Sequence, residues 1–271
     1  MAENNIYRLT ILGVPIDRLT RQDLRPLLAT WLSLGHPSGP AQIVTVNPEF
    51  IVSAQNHAEF AQVLSRAQLS LADGVGLVWA SVFLYGPRKR LVRTTGVALT
   101  WELLKLAQIM EKNVYLLGLR SDEASERVRE NLRRALPELK IVGCESAMSN
   151  TLDTKPIFRE LTDTEANQAL LNRIMQAEPD ILLVAYGSPA QDLWLAKNLP
   201  QLPSVKIAVG VGGTFDYIGG IVSYAPSWIR ALGLEWLYRL ITQPRRWKRI
   251  FNATFVFSYL TLKHTFFPRK N

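Results

Sequence analysis

Short runs of Val, Ile and Leu alternate along most of the chain with longer stretches in which apolar residues recur at helical spacing. The runs Arg8–Leu12, Gln42–Val46, Leu69–Ala72, Val114–Leu117, Lys140–Val142, Ile181–Ala185 and Lys206–Val209 are mostly continuous in their hydrophobicity. Continuous runs mark strands covered on both faces. Helices are expected at Pro48–Arg66, Gly74–Leu84, Gly96–Met110, Asp122–Ala135, Asp163–Ala177 and Ala190–Asn198, and Thr162 to Glu165 has the spacing of a capping box. The pattern predicts an α/β fold, Rossmann-like, with a largely parallel sheet and helices on both faces. Ser146–Thr162 is polar, contains Pro156 and reads as an exposed insertion, and no internal repeat emerges.

The pattern changes after Val209. A glycine-rich turn, Gly210-Val-Gly-Gly213, leads into Thr214–Gly220, and then Pro226, Gly233 and Pro244 cut the chain into short pieces. This divides it into an α/β catalytic domain over 1–220 and a helical appendage over 221–271. Ile250–Phe267 is mostly apolar, but Asn252, Thr254, Ser258, Thr261, Lys263 and His264 interrupt it. A bilayer span needs about 20 predominantly apolar residues, so a helix lying in the membrane interface is expected instead.

Charge sharpens that division. The appendage holds nine Lys/Arg against Glu235 alone, whereas the first 220 residues balance 22 basic with 22 acidic side chains. It also holds eleven of the 25 aromatic residues. Cations interleaved with aromatics suit a surface that is anionic outside and oily beneath, as a membrane is. The run Arg245-Arg-Trp-Lys-Arg249 has blander readings as a solvated basic face or a nucleic-acid contact. The aromatics favour the membrane, with no nucleic-acid partner. Two copies side by side would strengthen attachment, so a homo-oligomer is compatible.

Composition excludes several classes. With 48% hydrophobic and 20% charged residues in 271, wholesale disorder is excluded. Cys144 is the single cysteine, which rules out an internal disulfide framework or a multi-cysteine metal site, and His36, His57 and His264 lack ligand spacing. No metal and no cofactor are expected. The polar start lacks the features of an export signal.

Four loops that follow strands hold the candidate chemistry, because ligands of open parallel sheets gather there. Thr45-Val-Asn47-Pro48-Glu49 reads as a helix start with Asn47 as N-cap, which leaves Thr45 and Asn47 able to touch a substrate. Asp73 in Ala72-Asp-Gly-Val-Gly76 either caps the next helix or presents a carboxylate to a cleft. Trp79 replaces the third small residue of a dinucleotide fingerprint, which speaks against NAD. Gly187-Ser-Pro-Ala-Gln191 makes a turn and aims Gln191 at the cleft. Gly210–Asp216 offers backbone amides, Gly212 among them, to a phosphate or a base edge.

Together these loops and the tail resemble the WecG/TagA/CpsF family of bacterial glycosyltransferases, over roughly Tyr7 to Arg249. The matching pieces are Thr45–Glu49, Ala72–Gly76, Gly187–Gln191, Gly210–Asp216, Ala225–Trp228 and Gly233–Leu240, followed by Pro244, Arg246 and Arg249. The resemblance implies transfer of an N-acetylmannosamine-type sugar from a UDP donor to a polyprenyl-diphosphate sugar at the inner face of the cell membrane. It implies Asp73 as general base and Thr45 in the acceptor and sugar pocket. Asn47 and Gln191 become sugar contacts, and Gly212 and Asp216 lie at the uridine-diphosphate site. Arg239, Arg246 and Arg249 reach the active site or the lipid diphosphate. No Asp-x-Asp triplet, a common metal holder in sugar transferases, occurs in the sequence. Arginine is then the strong remaining stabiliser of a leaving diphosphate, and inverting, metal-independent transfer is expected. Two other classes compete: a soluble nucleotide-dependent enzyme such as an NAD oxidoreductase, and a non-catalytic module recruited to membranes.

Overall fold

A computed structural model describes residues 7–146, 164–231, 233–244 and 247–266. Its centre is a six-stranded parallel sheet of β3 (Ala41–Val46), β4 (Leu69–Ala72), β5 (Asn113–Leu119), β6 (Lys140–Ser146), β7 (Ile181–Val184) and β8 (Ile207–Gly210), in the order β4-β3-β8-β7-β5-β6. Side chains alternate across it as the pleat requires. Ile43, Leu71, Leu116, Leu183 and Val209 enter a core with α1 (Arg21–Leu34), α5 (Gly96–Ile109) and α6 (Asp122–Ala135). Val44, Val46 and Ala72 face the opposite way, towards α2 (Pro48–Ala54), α3 (Ala58–Arg66) and α4 (Val75–Tyr85). Tyr115, Leu117, Leu182, Val184 and Ala208 face α7 (Thr164–Ala177) and α8 (Ala190–Asn198). Both faces are therefore covered, as the continuous apolar runs require. The capping box at Thr162 and the insertion beyond Ser146 fall outside the described residues.

Two features depart from the sequence pattern. The first strand is half of an antiparallel hairpin, β1 (Tyr7–Ile11) with β2 (Val14–Arg18), in which Thr10 faces Pro15. Its turn places Leu12 and Gly13 at φ 49 and 82°, the left-handed geometry of a tight hairpin. The single helix expected over Pro48–Arg66 is broken at Gln55–His57 into α2 and α3.

The chain leaves β3 towards β4 at one side, and β7 and β8 later fill the space between β3 and β5. Reversals of this kind open a crevice at the carboxyl ends of the strands. Beyond β8 come α9 (Thr214–Ile218), α10 (Ser227–Ala231), α11 (Glu235–Thr242) and α12 (Trp247–Phe251). A π-helical turn, Asn252–Val256, then passes without a break into α13 (Phe257–Phe266). Phe257, 4% exposed, sits in the same core as Phe50, Ile51 and Leu77, which docks this tail on α2 and α4. No helix among the described residues is long and apolar enough to cross a membrane.

Candidate active site

Thr45, Asn47, Asp73, Gly187, Gln191, Gly212 and Asp216 come from loops far apart in sequence, yet all line one cavity of about 150 Å³ at the carboxyl end of the sheet. A wider cavity of about 640 Å³ adjoins it, and Asp73, Val97, Tyr217, Arg239 and Gln243 wall both. The sheet topology brings the loops together, and α11 lends Arg239 to both cavities.

Asp73 follows β4, and its backbone N–H donates to Val46 O at 2.6 Å, which fixes the turn. Gly74 takes φ +115° immediately after it. The Asp73 carboxylate accepts from Gly96 N–H at 3.1 Å, the first amide of α5, and does not cap its own helix α4. A Cβ at Gly96 would lie 3.3 Å from Thr45 Oγ1 and 3.8 Å from Asp73 Oδ2, so α5 begins pressed against both groups. Burial raises the Asp73 pKa above the ordinary carboxylate value. The Gly96 amide and the charges of Arg93 and Arg239 counter that rise, and Glu235 adds to it. Asp73 is thus a half-buried acid that opens on both cavities, with a basicity raised by burial and trimmed by the charges around it.

Arg93 and Glu235, which spacing did not reveal, form an ion pair with one another beside this acid. Arg93 lies where the chain runs along the edge of β4, with Thr94 N–H donating to Ala72 O at 2.8 Å. Arg120, at the end of β5, was also unforeseen. It holds Asp216 through two contacts, Nε to Oδ1 at 2.6 Å and Nη2 to Oδ2 at 2.7 Å.

The remaining expected residues divide by what they already hold. Asn47 caps α2 by accepting from Phe50 N–H at 3.1 Å, with Pro48 at the first helical position, and it also lines the smaller cavity. Gln191 Oε1 accepts from Gly187 N–H at 3.1 Å and from Gly212 N–H at 3.0 Å, so one side chain ties the β7 and β8 loops together. The amides of Val211, Thr214 and Asp216 are also engaged, with Val184, Val211 and Gly213 carbonyls. The glycine turn is thus largely self-satisfied; Gly210 serves close approach, and Gly212 takes a φ of +51°. A Cβ at Gly210 would come 2.5 Å from Gln191 Nε2 and 2.7 Å from Asp192 Oδ1. Asp192 is buried, and burial pushes its pKa up to about 7 against the lowering effect of the Gln191 side chain beside it.

The tail contributes the cations. The guanidinium of Arg239 lies over the Tyr217 ring, 5.6 Å from its centroid, and Tyr217 stacks on Tyr224 with centroids 4.8 Å apart. Arg249 lines the smaller cavity and donates from Nε to Glu49 Oε1 at 2.7 Å, joining the tail to α2. Arg246 lies outside the described residues. Among those described, no group of three or more His, Cys, Asp or Glu is placed to hold a metal ion.

This geometry coincides with a family assignment. Residues 9–271 match the Glycosyl transferase WecG/TagA/CpsF family. The chain belongs to that family. It is a glycosyltransferase, as its relatives are named. One from Bacillus spizizenii, an N-acetylglucosaminyldiphosphoundecaprenol N-acetyl-beta-D-mannosaminyltransferase, is 33% identical over 226 residues, 83% of this chain and 79% of that protein. A protein of the same name from Bacillus subtilis is 33% identical over 235 residues, covering 84% of each chain. Another of that name, from Staphylococcus aureus, is 29% identical over 247 residues, 91% of this chain and 88% of its own. The Asp73 crevice is the candidate site for that activity.

Proposed function

We propose that this glycosyltransferase moves an N-acetylmannosamine-type sugar from a UDP donor to the N-acetylglucosamine of a polyprenyl-diphosphate lipid, with inversion and without a metal ion. The reading rests above all on one observation: Asp73 opens on a crevice whose other walls carry Arg239 and Arg249 from the tail. Asp73 takes the proton of the acceptor hydroxyl while that oxygen attacks the anomeric carbon, and the bond to UDP breaks with its electron pair leaving on the diphosphate. The raised pKa strengthens Asp73 as a base. Arg239 and Arg249 neutralise the leaving diphosphate, a task for which a planar, permanently charged fork is suited. Thr45 and Asn47 contact the sugars, and the Gln191-clipped loops with Gly212 and Asp216 shape the donor end. Arg246 belongs to the same cationic set.

Residues 1–220 supply the acid and the donor loops. Residues 221–271 supply the arginines and hold the protein on the inner, anionic face of the cell membrane, where the lipid acceptor resides. Purified protein should transfer sugar from UDP-N-acetylmannosamine to a short-chain polyprenyl-diphosphate N-acetylglucosamine and give an inverted linkage by NMR. EDTA should leave the rate unchanged. A rate abolished by EDTA and restored by Mg²⁺ or Mn²⁺ would remove the arginine-only mechanism, and a donor panel in which no UDP-sugar reacts would remove the whole reading.

A further inference from the structure

Beside the polar crevice lies a second cavity of a different kind. It has a volume of about 540 Å³ and runs between α4 and the C-terminal helices. Trp79 and Phe83 of α4 wall one side, with Phe255 and Leu262 of the tail on the other. These four are among the most exposed large apolar side chains of the fold, Trp79 at 62% and Phe255 at 65%. Small residues make room between them: Gly74, Gly76, Ala80 and Ala253. A larger residue at Gly76 would crowd this floor, because a Cβ there would stand 3.0 Å from Pro48 Cγ. At its inner end the groove meets Arg93 and Glu235, the ion pair that also walls the wider cavity onto which Asp73 opens.

We propose that this groove holds the isoprenoid chain of the lipid-linked acceptor, with the diphosphate turned inward past Arg93 to the Asp73 crevice. The inference rests on the transferase reading above and adds a subsite to it. The occupant follows from continuity. A molecule whose sugar lies at Asp73 and whose hydrocarbon must leave by a neighbouring opening meets this apolar channel directly across the Arg93–Glu235 pair. The two cavities thus match the two halves of one amphipathic substrate, a charged sugar diphosphate and a branched hydrocarbon. Each buried methylene strengthens binding roughly fourfold, so the groove makes affinity depend on chain length, up to the length that fills it.

The test measures binding and transfer together. Isoprenyl diphosphates of increasing length, kept below their aggregation concentration, are titrated into the full chain by calorimetry. The same chains carrying N-acetylglucosamine are then assayed as acceptors. In the wild-type protein Kd and KM should fall at least tenfold with chain length and then level off, while kcat stays constant. Ala253→Trp, which fills the groove, and Phe83→Ser, which removes one wall without adding volume, should abolish that gain and leave the shortest chain unaffected. Melting curves confirm that both variants fold. Wild-type affinity that ignores chain length would overturn the groove, as would variants that weaken short and long chains equally. Loss of binding to acceptor-free anionic liposomes in step with long-chain affinity would assign the groove to bulk lipid instead. Dissociation of a dimer by Phe83→Ser, with length dependence intact, would assign it to a second copy. Failure of transfer with every acceptor, alongside length-dependent binding, would refute the transferase reading and leave the groove standing.

Discussion

The sheet body and the C-terminal tail are built on opposite principles. Every strand of the six-stranded sheet except β6 is dominated by buried residues, and three apolar clusters fill both faces. In the tail, α11 and α12 bury no residue among those described, and α13 buries only Phe257 and Thr261. The body is stabilised by its own packing. The tail is held by a seated phenylalanine flanked by half-buried Val256 and Leu260, and by ion pairs to Arg93 and Glu49. Yet the tail carries Arg239 and Arg249, so the part with fewer buried contacts helps to wall the candidate site of the other. Elements with few buried contacts open most easily. The division therefore makes the assembly of the site separable from the folding of the body.

The most severe way to break this comparison is to end the chain at Leu234. Loss of both site arginines should reduce kcat/KM by ~10³-fold or more, while the body still melts cooperatively by calorimetry. A truncated chain that does not fold would show that the body depends on its tail. Asp73→Asn attacks the other partner. It should lower kcat ~100-fold with the melting temperature and the tail's protease resistance unchanged, and a smaller loss would remove Asp73 as the base.

The body also has an internal weakness in Asp192. Its pKa is higher in the folded protein, at about 7, than the ordinary 3.8. The native state therefore binds the proton more tightly than the unfolded chain does, and stability is lost as pH rises between those two values. Asp192→Asn should flatten that slope and gain up to about 4 kcal/mol near neutrality, as read by urea melts at several pH values. A slope that survives the change would clear Asp192 as its source.

Two smaller effects sharpen the join between the parts. Arg93 lowers the Asp73 pKa and Glu235 raises it. Arg93→Gln should therefore move the acid limb of the pH–rate profile to higher pH, and Glu235→Gln should move it to lower pH. Shifts in the same direction would mean that these charges do not tune Asp73. Glu49→Gln removes a partly exposed pair worth no more than about 1 kcal/mol. It should cost a few-fold in kcat/KM, and the difference from wild type should shrink as salt is added.

The loops of the site were legible because the fold itself was. Once continuous apolar runs announce a parallel sheet, each loop after a strand is carried to the same edge, and Thr45, Asn47, Asp73, Gln191 and Asp216 meet there. The pairings across the site were not legible. Arg93 finds Glu235, and Arg120 finds Asp216, across long stretches of intervening chain, and no local spacing encodes such a partner. Arg120 had only the weak signal of a basic residue at a strand end. The hairpin was hidden by Pro15 and Asp17, which spoil the alternation of β2. Asp17 is there because it is paired with Arg8 and accepts from Ser70 N–H at 2.8 Å. The break after α2 has neither glycine nor proline to announce it.

The π-helical turn at Asn252–Val256 sets the phase of the tail. It contains one residue more than an α-helical turn would, and each residue advances a helix by about 100°. That extra step delivers Phe257 to its seat beside Phe50, while Phe251 and Phe255 stay stacked on the outside with centroids 5.2 Å apart. Removing a single residue there would rotate everything downstream by more than a quarter of a circle and unseat the phenylalanine. Lengths in this family's tails should therefore tolerate change beyond Phe266 far better than within the turn, and limited proteolysis of an Ala253 deletion would show whether they do.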